Sequence, residues 1–117
     1  MKNRKNTGKP DTLKKIEEAI RRFDAIDGLE RAELLGLLEA LKAEVGRLSA
    51  THAEHAHSIA GFAQVAAHEA AREQKSPHLL KHSVDGLSLS VKGFEVSHPR
   101  LVEIVNDLCV MLAQIGV

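Results

Sequence analysis

Seven histidines stand out in a 117-residue chain that has no tryptophan, no tyrosine and a single cysteine. Three of them fall within one hexapeptide, His52-Ala53-Glu54-His55-Ala56-His57. On a helix His52 and His55 share a face at i, i+3, and three imidazoles with an open fourth position are a ligand set for zinc or a similar ion. His98 is the third candidate, because the chain is expected to fold back and bring it opposite His55. A second group is His78 and His82 at i, i+4, with His68 and Glu69 across a turn. Neither group has the H-E-x-x-H spacing or a cysteine pair that would make a metal site specific. No metal or other cofactor is therefore expected. His52, His55 and His98 read first as a semi-polar layer that fixes helix register. Histidines facing one another in a seam would also repel when protonated, so loosening below about pH 6 is a related expectation.

Catalytic chemistry finds little support. No serine sits in a G-x-S-x-G turn, and Gly8-Lys9 lacks the first half of a phosphate-binding loop. Cys109 lies in an apolar stretch and reads as a packed side chain. Aromatic residues make up 3% of the chain, which disfavours a large lined substrate pocket. We expect a non-enzyme. Formal charge is zero, but residues 1–10 carry Lys2, Arg4, Lys5 and Lys9 with no acid, leaving an acidic remainder. That distribution does not suit a nucleic-acid binder. There is no apolar run of spanning length and no signal-type segment, so a cytoplasmic protein without a membrane span is expected.

The elements that position these side chains are helices. Residues 1–10 read as a flexible basic arm and residues 11–117 as one helical domain. Leu13, Ile16, Ile20 and Phe23 mark a first helix, capped at Asp11 or Thr12 and ended at Asp27-Gly28. Leu34, Leu38, Leu41, Val45 and Leu48 follow at alternating spacings of four and three. The rhythm runs on through His52, His55, Ile59, Phe62 and Ala66. It fits one helix over 29–74 better than two meeting near 49, although Thr51 and Glu54 resemble a capping box. Ser76-Pro77 starts the next helix. Its stripe, Leu80, Val84, Leu87, Val91 and Phe94, continues in phase to Ile115, with a kink or short break at Pro99 and Ser97 as the cap.

The expected fold is all-α: a long, coiled-coil-like antiparallel hairpin, with the first helix packed as a three-helix bundle at one end. Folding about residue 76 sets Phe62 against Val91, Ile59 against Phe94, His55 against His98 and Leu41 against Leu112. Small residues repeat beside the large ones (Ala53 to Ala70 in one arm, Ser83 to Ser97 in the other), which lets helix axes approach closely. Leu34, Leu38, Leu41, Leu108 and Leu112 form the expected core. A bare two-helix arm would expose Ile59, Phe62, Val91 and Phe94, so these four are the expected interface with a second copy or another protein.

Phe94-Glu95-Val96-Ser97-His98-Pro99-Arg100-Leu101, followed by Leu112-Ala113-Gln114-Ile115-Gly116-Val117, resembles a bacterial family of small proteins known as domain of unknown function 4404. The resemblance spans residues 11–117, and its last 25 or so are distinctive. It implies a helical cytoplasmic protein with no assigned activity. It also makes His98-Pro99 a family feature of structure rather than a metal site private to this chain.

Overall fold

The computed structural model describes residues 14, 17, 18 and 28–116, and the described chain is all-α. Four helices follow in order: α1 (Gly28–Ser49), α2 (Ala53–Ala71), α3 (Pro77–Ser90) and α4 (Pro99–Ile115). The basic arm, the Leu13–Phe23 stripe and its cap lie outside the described residues. Gly28 opens α1 and does not take up the left-handed conformation expected of it.

The leucine stripe does what its spacing demands. Leu34, Leu38, Leu41, Val45 and Leu48 are all buried along one side of α1. Leu108 and Leu112 join them in a single core. Glu30 in the first turn of α1 and Arg47 in its last complement the helix dipole. The alanine seam of α2 also faces inward: Ala56, Ala60, Ala63, Ala67 and Ala70 are each no more than 5% exposed.

The single helix expected over 29–74 is two. Ser49 Oγ donates to the Gly46 carbonyl at 2.8 Å and Thr51 Oγ1 to that of Leu48 at 3.4 Å. Hydroxyls that take up last-turn carbonyls favour a helix end. His52 then adopts φ −135°, ψ 64° and becomes the N-cap of α2. No capping box forms, since Thr51 Oγ1 turns instead to His52 Nδ1.

The turn at 72–76 forms as the sequence indicates. Ser76 Oγ accepts from the Leu79 N–H at 3.4 Å, and Pro77 occupies the first helical position. Lys75 Nζ reaches back to the Ala70 carbonyl at 2.6 Å. α2 and α3 pack as an antiparallel pair across this turn.

The second arm does not run on in phase through Pro99. α3 ends at Ser90, and residues 91–98 form turns around Gly93, whose φ of +99° suits glycine. The cap of α4 is His98, not Ser97. α4 folds back to touch α1, α2 and α3, so the long bare arm is absent. Ile59 (0% exposed), Val91 (2%) and Phe94 (8%) are inside the core. Of the four expected interface residues only Phe62 presents substantial surface, and it rests on Gly86.

The chain is also built twice. α1, His52 and α2 repeat as α3, His98 and α4, offset by 46 residues. Both histidine caps have nearly the same backbone, φ −138° and ψ 63° at His98. Leu34 and Leu80, Leu41 and Leu87, Val45 and Val91, Leu48 and Phe94, Ile59 and Val105 are matched pairs, all buried. α2 packs on α3 and α4 on α1. α2 also meets α4, while α1 and α3 do not touch. That is the contact pattern of two like units about an approximate two-fold axis.

Candidate functional site: a histidine cluster around Phe94

The two breaks, at 50–52 and 91–98, deliver the histidine caps to the same place. Phe94 is held at the end of the second break, where its carbonyl accepts from the His98 N–H at 2.8 Å. Three imidazoles stand around its ring. Centroid separations from Phe94 are 5.5 Å to His52, 5.3 Å to His55 and 5.5 Å to His98, all edge-to-face. His52 lies 6.0 Å from His55 and 6.1 Å from His98. Edge-to-face packing at such distances is the favoured aromatic arrangement. The sequence-derived trio thus does come together.

Each cap histidine is oriented by the hydroxyl just before it. Thr51 Oγ1 and His52 Nδ1 share a hydrogen bond of 2.8 Å, and Ser97 Oγ and His98 Nδ1 one of 3.0 Å. Engagement of Nδ1 leaves Nε2 as the second nitrogen of each ring, as when a hydroxyl supports a ligating histidine. Neither ring caps its own helix, so the first turns of α2 and α4 carry no side-chain cap. His52 and His55 are exposed and His98 is half-buried. Among the described residues, however, no three histidine, cysteine or acidic side chains stand close enough to hold one ion.

The second histidine group is not brought together as a site. His68, His78 and His82 are exposed, and Glu69 is buried and bonded to Arg72 at 2.8 Å. Cys109 is buried, its Sγ donating to the Val84 carbonyl at 3.7 Å. Burial, with a smaller effect from Asp85, pushes its thiol up to about 11, so it is protonated near neutrality and a poor nucleophile.

A second buried carboxylate, besides Glu69, has no signal in the sequence pattern. Glu17 is 4% exposed, and Lys42 Nζ donates to it at 3.0 Å and to Glu39 at 2.9 Å. Burial and the nearby Glu39 carboxylate raise the Glu17 carboxyl above its ordinary range, against the lowering effect of Lys42. No periodicity signal marks such a group, because a single glutamate among charged neighbours reads as surface.

Two open grooves are lined by described residues. One of about 560 Å³ lies between α1 and α4, lined by Glu33, Leu37, Asp107, Val110 and Met111. The other, about 440 Å³ and more apolar, lies between α3 and the end of α4 at Pro77, Leu80, Val84 and Ala113. No described helix is long and apolar enough to cross a membrane.

Fold and cluster together define a small all-α protein made of two histidine-capped helix pairs. The chain belongs to the family described as Domain of unknown function (DUF4404), whose model matches residues 34–117 and so takes in both caps and all but the start of α1. No curated protein matches the chain. No solved structure matches it either.

Proposed function

We propose that this protein is a non-enzymatic helical interaction module of the cytoplasm that associates with a second copy of itself. The observation that carries this reading is the outer side of the α2–α3 pair. Phe62, Val65 and Leu79 remain 41%, 48% and 49% exposed there, although the core beneath is closed. Phe62 and Val65 are one helical step apart on α2, and Leu79 lies two turns from Gly86, on which Phe62 rests. Apolar side chains grouped on one face favour association. The protonated, buried thiol of Cys109 weighs against nucleophilic catalysis.

A second reading, metal binding or pH sensing, is favoured by His52, His55 and His98, whose rings already surround Phe94. Light scattering on a sizing column, with and without chelator, separates the two. A dimer insensitive to chelator supports the module, and a dimer that dissociates on chelation transfers the role to the histidines. A monomer under both conditions rules out self-association and points to a different protein partner.

A further inference from the structure

We propose that the second copy docks antiparallel on the outer face of α2, with the two-fold axis passing beside residue 63. This rests on the self-association reading and specifies its surface and register.

The outward face of α2 carries its own seam, separate from the one that faces the core. Glu54, Ser58, Gly61, Val65, His68 and Arg72 recur at spacings of 4-3-4-3-4, the rhythm of a helix–helix contact stripe. Glu54, Ser58, Val65 and His68 are exposed, and Gly61 and Arg72 are half-buried. Read from either end the seam is complementary to itself. Antiparallel pairing about residue 63 sets Glu54 against the second copy's Arg72, Ser58 against His68 and Gly61 against Val65.

Three observations point to this occupant. The first is charge. Glu54 has no ion-pair partner among the described residues, and the acid at one end of the seam is matched by the arginine at the other. They are 18 residues apart, about 27 Å along the helix, and antiparallel pairing sets an acid beside a base at both ends at once. Arg72, the C-cap of α2, already bonds Glu69 at 2.8 Å, and its side chain, still 32% exposed, has N–H donors left for a second carboxylate. The second is Gly61. Glycine inside a helix costs about 1 kcal/mol relative to alanine. A Cβ at Gly61 would meet nothing within 4 Å, so nothing inside the monomer requires glycine there. Close approach by a facing helix does require it, and Val65 is the side chain that would fill the space. The third is Phe62 beside the seam, which packs on Gly86 yet stays 41% exposed, where a second copy would cover it.

A single helix pair lies at the low end of specific interfaces, below roughly 1,200 Å² in total, so the dimer should be weak and concentration-dependent. Sedimentation velocity on the full chain across a wide concentration range tests this, with circular dichroism to verify folding of each variant. Glu54→Arg, which leaves the Arg72–Glu69 pair intact, should weaken the dimer about tenfold by placing like charges opposite each other at both ends. Arg72→Glu should do the same, and the double variant should return to near the wild-type dissociation constant. A dimer indifferent to both single reversals, or weakened by both and not restored in the double variant, overturns the α2 seam and leaves self-association standing. A chain that stays monomeric at every concentration overturns both.

Discussion

Phe62 packs against the backbone of Gly86: a Cβ built on that glycine would come within 2.6 Å of the Phe62 ring at Cδ1. The glycine is in the middle of α3, where alanine would ordinarily be favoured by about 1 kcal/mol. The two positions should therefore be coupled. Gly86→Ala should raise stability by about 1 kcal/mol when Phe62 has first been replaced by alanine, and by clearly less in the wild-type chain, where the ring must swing away. A double-mutant cycle in denaturant measures the difference, and equal gains in both backgrounds would show that the contact carries no energy.

Phe94 and His98 should respond very differently to truncation. Phe94 is 8% exposed at the centre of three imidazoles, and Phe94→Ala should cost about 3 kcal/mol or more. His98 makes no side-chain cap to α4, so His98→Ala should cost about 1 kcal/mol or less. A comparable loss from both would mean that the imidazole is a structural keystone of the cluster.

Glu17 supplies a pH dependence. Its carboxyl is raised in the folded chain by burial and by Glu39, so the protonated form is favoured on folding. Its contribution to stability is fully present below the unfolded carboxyl value of 4.5, and is lost as pH rises through the higher folded value. Glu17→Gln should remove that slope. Urea denaturation between pH 4 and 8 should show the variant gaining on the wild type as pH rises, and parallel curves would rule out a buried, raised carboxyl.

Cys109 should resist modification. With its thiol pushed up to about 11 and its side chain buried, labelling by a thiol reagent at pH 8 should be much slower in the native chain than in urea. Equal rates would show that α4 opens readily beside Val84.

Much of the architecture was legible in the leucine stripe of α1, the alanine seam of α2 and the Ser76-Pro77 start of α3, because each is a local pattern tied to one physical need. The convergence of His52, His55 and His98 was legible too. The breaks at 50–52 and 91–98 were not. A stripe that keeps its phase records which side of each turn faces the core, and it reads the same whether a helix continues or stops and restarts against that core. Phase alone therefore extended both helices and left Ile59, Val91 and Phe94 on a bare arm, where the structure buries them under the returning α4. Gly93 was the missed signal, since its left-handed backbone ends the run that Pro99 was expected to interrupt.

The two caps carry one further consequence. His52 and His98 share a backbone conformation, yet the residue after one is Ala53 and after the other Pro99. The bend at 52 is thus already shaped to precede a proline, at a first-turn position whose N–H has no helical bond to lose. Ala53→Pro should leave the native contacts untouched and restrict the unfolded chain instead, raising the melting temperature through a gain of about 0.4–1 kcal/mol. The second unit holds a stabilising residue that the first can borrow.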